Sequence, residues 1–178
     1  MKIGIVVGSV RDHRLGGTIA RWVYDIAAAR GDVDYELIDL KEFHLPVFDG
    51  NSPMMAHKHY DSPEVQRWSD VIDACDGFVF VTPEYNHSVP GGFKNAVDTL
   101  GPEWLGKSVA FVSYGGDGGV RAVEHWRQIV ANFEMHDVRS QVSLSLFNDV
   151  DDKGFAPQER RNGELVRTLD SLVPVPVR

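Results

Sequence analysis

At 178 residues the chain is long enough for one domain with a sizeable core and short for two. Hydrophobic residues at 43% and charged residues at 25% are ordinary globular values, which exclude a disordered or fibrous chain. Twenty-six acidic against eighteen basic residues give a net charge of -8, which repels phosphate backbones and anionic lipid and leaves no expectation of nucleic acid or membrane as a partner.

In chain order, Ile3 to Gly8 is a continuous β-favouring run that stops at glycine, the pattern of a strand buried on both faces. The strand begins at Lys2 with no secretory leader before it, and no apolar run reaches membrane-spanning length. A single cysteine, Cys75, can form no internal disulfide, so a cytoplasmic protein is expected. After a polar loop, Ile19, Trp22, Val23, Ile26 and Ala27 recur at helical spacing, with Gly31 as a stop. Tyr35 to Leu40, Gly77 to Thr82 and Ser108 to Ser113 repeat the strand pattern. Ser62-Pro63-Glu64 reads as N-cap, first-turn proline and first-turn acid of a helix that carries Val65, Trp68 and Ile72 to about Ala74.

Phe93, Ala96, Val97 and Leu100 mark a third helix, and Val123, Trp126, Val130 and Phe133 a fourth. Val142, Leu144 and Leu146 alternate as an edge strand does. Leu165, Val166, Leu169 and Leu172 predict a short terminal helix before a Pro174 to Arg178 tail. Strands alternating with helices imply a parallel sheet with right-handed crossovers. Residues 1–178 therefore read as a single α/β domain. It is a flavodoxin-like three-layer sandwich with a five-stranded parallel sheet in the order 2-1-3-4-5, whose ligand crevice lies beyond the carboxyl ends of the strands. Lys41 to Asp61 and Asp149 to Gly163 stand outside the alternation; the first is a lid, a subunit contact or a packed surface excursion.

The loop from Gly8 to Thr18 joins the first strand to the first helix with a hydroxyl (Ser9), two guanidiniums (Arg11, Arg14) and the pair Gly16-Gly17. These are parts for holding phosphate: helix-terminal amides, close backbone approach and charge-assisted bonds. The loop lacks the glycine pattern of dinucleotide folds and the lysine of triphosphatases, which favours a monophosphate such as that of flavin mononucleotide (FMN). The same residues would also make an ordinary turn.

Thr82-Pro83-Glu84-Tyr85-Asn86-His87-Ser88-Val89-Pro90-Gly91-Gly92-Phe93-Lys94-Asn95-Ala96 resembles, almost residue for residue, the flavin-contacting signature of the NADPH-dependent FMN reductase family. That family includes small azo-dye, quinone and chromate reductases. Gly8-Ser9-Val10-Arg11 resembles its opening, and Ser113-Tyr114-Gly115-Gly116 with Gly118-Gly119 its third ligand loop. The resemblance implies that Ser9, Arg11, Arg14 and the amides of Leu15, Gly16 and Gly17 hold the phosphate. It likewise implies that Pro83, Glu84, Tyr85 and Asn86 line the flavin ring and that Ser113, Tyr114, Gly115 and Gly116 form its other edge. Arg14 stands where many relatives carry serine, and Asp12 is placed to pair with one of the two arginines.

The implied reaction passes a hydride from NADPH or NADH through FMN to a small-molecule electron acceptor, with no side chain required as acid or base. Glu84 is therefore assigned to fixing its loop. Cys75 reads as a core residue, His57 and His59 as surface histidines, and no metal is expected. Trp22, Trp68 and Trp126 fall on apolar helix faces, whereas Trp104 falls in a loop that suits contact with a partner subunit. A homodimer or homotetramer is implied by the resemblance. The competing readings are a flavodoxin-type electron carrier without a nicotinamide site, and a flavin-free nucleotide-binding or hydrolase domain on the same sheet.

Overall fold

Each uninterrupted apolar run becomes a strand. In the computed structural model, which describes residues 1–173, β1 (Lys2–Val7), β2 (Asp34–Asp39), β3 (Gly77–Pro83), β4 (Ser108–Gly115) and β5 (His136–Ser145) form one parallel sheet in the order β2-β1-β3-β4-β5. The expected architecture and strand order are those observed. The Pro174 to Arg178 tail lies outside the described residues. Every residue of β3 is buried, and all but the first of β1 and β4, because helices cover both faces of the central strands.

One layer consists of α1 (Gly16–Ala28) and α5 (Arg160–Leu172), whose Ile19, Val23, Leu165 and Leu169 pack on Ile3, Ile5, Val79 and Val112. On the other face, α2 (Pro63–Asp73), α3 (Gly91–Asp98) and α4 (Val120–Ala131) pack Trp68, Phe93 and Trp126 on Val6, Phe78, Phe80 and Phe111. The start of α2 follows from its sequence: Ser62 is extended, its hydroxyl accepts the Val65 amide at 3.3 Å, and Pro63 opens the helix. Cys75 is buried, and that burial pushes its thiol up to about 11, as suits a small core residue. His57 and His59 are exposed.

Three details depart from expectation. Trp104 is 0% exposed rather than available to a partner. A short 3-10 turn, Pro102–Trp104, folds it under α3, where the indole donates to the Val97 carbonyl at 3.1 Å and lies edge-on to Trp68, Phe78 and Phe80. Its neighbour Glu103 is buried too, with its carboxylate accepting from the Gly101 amide (3.0 Å), Tyr60 (2.9 Å) and Ser69 (2.6 Å). Those bonds anchor the 41–61 excursion to the core. Asn95 adds to this by donating to Pro46 and accepting from the Phe48 amide, both at 2.8 Å.

Trp22, expected in the core, is only half-buried; its ring packs edge-on to Phe155 and its indole donates to Asn162. The Asp149 to Gly163 segment holds a small antiparallel hairpin, β6 (Val150–Asp151) with β7 (Gly154–Phe155), and the first residues of α5. Finally, β5 starts at His136, well before its alternating stretch. A register shift opposite Val109 to Phe111 interrupts it there, and Arg127 bonds the Val138 and Arg139 carbonyls at 3.0 and 3.2 Å.

Candidate functional site

Strand order reverses between β1 and β3, so the crevice at that point opens beyond their carboxyl ends. The loops after β1, β3 and β4 meet there. In the first, Ser9 is buried and its hydroxyl lies 3.0 Å from that of Tyr85 in the second. The first turn of α1 has no side-chain cap and no acidic residue among the described residues, so its amides and positive dipole end are left toward the loop. Gly16 is required by close approach: a Cβ there would lie 2.5 Å from the Tyr114 hydroxyl of the third loop. Leu15 packs against the core beside it and Gly17 borders open space.

The two arginines differ. Arg11 is exposed, sits 5.8 Å from the centroid of the Tyr85 ring and has no carboxylate partner among the described residues. Arg14 is half-buried in an ion pair with Asp39 at the end of β2, and its Nε is buried with no partner among the described residues. Asp12 pairs with Lys41 and with neither arginine, contrary to the sequence expectation. The competition for Arg14 therefore comes from Asp39, a residue on another strand.

In the second loop Pro83 is buried, and the Glu84 amide donates to the Tyr114 carbonyl at 3.0 Å, which locks the ends of β3 and β4 together. The Glu84 carboxylate accepts from the Arg121 amide (3.1 Å) and guanidinium (2.8 Å), so it fixes the loop to α4 as expected. Tyr85 and Ser88 exchange backbone bonds at 3.0 and 3.1 Å around Asn86 and His87, whose φ values are 50° and 67°. This tight turn explains the asparagine, which tolerates the left-handed region better than most residues. The Asn86 amide and side chain are exposed at its tip.

In the third loop the Ser113 hydroxyl is buried and donates to the Gly118 carbonyl at 2.7 Å, so it shapes the loop from below. Tyr114 is buried; desolvation and the neighbouring Tyr85 hydroxyl raise its phenol well above the ordinary value, and it stays neutral. Gly115 approaches Glu84 and Gly119 closely, and Gly116 is exposed. The contacts shown between the loops join Ser9 and Arg11 to Tyr85, Gly16 to Tyr114, and Glu84 to Tyr114 and Gly115, with Ser113 and Pro83 buried at the strand ends. Sequence reasoning missed Asp39 and Arg121, which act through pairings with residues 25 and 37 positions away that no local spacing betrays.

The donor set fits an FMN phosphate. It offers uncapped helix amides, an unpaired Arg11, a buried unpartnered Nε on Arg14 and a glycine cradle closed by Tyr114.

The family of NADPH-dependent FMN reductases matches residues 1–149. An NAD(P)H-dependent FMN reductase of Nectria sp is 43% identical over 128 residues, 68% of this chain and 63% of the relative. An NAD(P)H-dependent FMN reductase of Schizosaccharomyces pombe is 38% identical, covering 83% of this chain and 74% of the relative. A quinone reductase of Escherichia coli is 35% identical, covering 73% and 69%. The chain spans less than two thirds of the Nectria relative. Among solved structures, the flavoenzyme NAD(P)H:(acceptor) oxidoreductase FerB of Paracoccus denitrificans superposes with a TM-score of 0.74 at 23% identity, covering 96% of both chains, which establishes the shared fold. By its sequence the chain belongs to the NADPH-dependent FMN reductase family, whose members are FMN-dependent NAD(P)H oxidoreductases.

Proposed function

We propose that this chain oxidises NADPH or NADH and reduces small-molecule acceptors such as quinones, azo compounds or free flavin, at the edge where its three loops meet. The observation that carries the reading is the convergence of a phosphate-type loop, the Pro83 to Asn95 signature and the Ser113 to Gly119 loop on one crevice. When bound, FMN supplies the two-electron chemistry between nicotinamide and acceptor. Arg11 and the α1 amides hold its phosphate, with Ser9 behind them. Glu84, Tyr85 and Asn86 border one side of the ring with Pro83 beneath them, and Tyr114 to Gly116 border the other on the support of Ser113. Glu84 and Arg121 keep the second loop in place. The hydride chemistry demands no side chain as acid or base.

We further propose a cytoplasmic homodimer or homotetramer. The exposed Val47, Phe48, Met54 and Met55 of the 41–61 excursion support an assembly, and the single buried cysteine suits a reducing compartment. Among the described residues no helix is long and apolar enough to cross a membrane.

Steady-state oxidation of NADPH by the FMN-loaded protein with a quinone tests the reductase reading. Turnover is expected; a flavin-loaded protein that oxidises neither NADPH nor NADH is a flavodoxin-type carrier. Arg11→Ala should weaken FMN binding by about 1.5 to 3 kcal/mol, one charge-assisted contact. Unchanged affinity in a fluorescence titration would move the phosphate to Arg14.

A further inference from the structure

We propose that Phe147 is the aromatic wall against which the electron acceptor stacks, and that it sets a preference for flat aromatic acceptors. The inference rests on the FMN reading above and adds a residue outside the three loops. Phe147 is 82% exposed on the turn that follows β5, at the same carboxyl edge of the sheet. It borders the third loop: a Cβ on Gly116 would lie 3.6 Å from its ring. Gly116 is exposed and carries no side chain, so no side chain stands between the ring and the third loop at that point.

The turn that presents this ring is built as a rigid support. The Leu146 amide donates to the Gly115 carbonyl at 3.0 Å, and Ser145 both donates to the Gly116 carbonyl (3.3 Å) and accepts from the Phe147 amide (3.2 Å). The Asn148 and Asp149 amides close on the Ser145 carbonyl at 3.1 and 2.8 Å. Beneath them the carboxylate of Asp149, fully buried, accepts from the Ser145 amide (2.9 Å), the Gln158 amide (3.1 Å) and the Arg161 guanidinium (2.9 and 3.1 Å). An aromatic side chain with two rotatable bonds, on backbone already fixed, loses little entropy when a flat ligand stacks on it. Covering that ring with a flat ligand removes apolar surface from water on both partners, which is the term that favours stacking there.

The test compares wild type, Phe147→Ala and Phe147→Tyr as FMN-loaded proteins. It measures kcat/KM for a two-ring naphthoquinone and for ferricyanide, which has no aromatic face, together with the sedimentation mass. The naphthoquinone-to-ferricyanide ratio should fall about tenfold in Phe147→Ala, through KM, and return in Phe147→Tyr, as the loss of one aromatic contact implies. A ratio within twofold of wild type, or a fall accompanied by a changed assembly mass, would overturn the assignment. Wild type that turns over both acceptors while the ratio stays fixed defeats the role of Phe147 alone. Wild type that turns over neither defeats the reductase reading and this inference with it.

Discussion

Replacing Arg161 with alanine should lower the unfolding free energy by about 3 to 5 kcal/mol, read as a shift in the urea midpoint at constant slope. The guanidinium is 8% exposed and its partner Asp149 is fully buried, so removing one member leaves an uncompensated charge away from water. The amides of Ser145 and Gln158 remain on Asp149 but carry no full charge to balance it. Converting both residues to neutral groups of similar volume should cost much less than Arg161→Ala, because the penalty belongs to the stranded carboxylate.

The same pair predicts a pH dependence. Burial pushes the Asp149 carboxyl up, yet the Arg161 guanidinium and the Gln158 and Ser145 amides outweigh it and hold the group below its ordinary value of 3.8. A carboxyl depressed in the folded state contributes stability that is complete above its unfolded value and lost as pH falls through the folded one. Wild type should therefore lose this contribution below about pH 4, and Asp149→Asn should lack that share of the acid-induced loss.

Trp104→Ala should cost about 3 to 5 kcal/mol as well, by emptying an indole-sized volume between Trp68, Phe78 and Phe80 and removing the indole bond to the Val97 carbonyl, which keeps the Leu100 amide at 3.3 Å. Chemical denaturation followed by tyrosine and residual tryptophan fluorescence checks it. A cost under about 1 kcal/mol would place the residue in a region able to collapse around the loss.

Trp104 also shows where reading the sequence reaches its limit. The strands β1, β3 and β4 were legible because burial on both faces leaves no polar position to interrupt them, and α2 because Ser62, Pro63 and Glu64 carry its start. In Gly101 to Leu105 the apolar residues follow no period, and only tertiary bonds, those of Glu103 to Tyr60 and Ser69, turn the indole inward.

The site divides in the same way. Its glycines, its signature and its hydroxyls lie consecutively in three loops, so their chemistry could be read locally. What decides which arginine is available is Asp39, and what holds Glu84 is Arg121, and both pairings exist only after the sheet has formed. The half-buried Trp22 was hidden for the same reason: α5 and the segment before it meet α1 from a distance of well over a hundred positions.

The most direct measurement is a titration of flavin-free protein with FMN and, separately, with riboflavin, followed by quenching of flavin fluorescence. FMN should saturate at one per chain and bind roughly a hundredfold more tightly than riboflavin, since in the proposed site Arg11 and the first turn of α1 hold the phosphate that riboflavin lacks. Riboflavin binding as tight as FMN, or no saturable binding of FMN, would contradict a flavin site on these three loops.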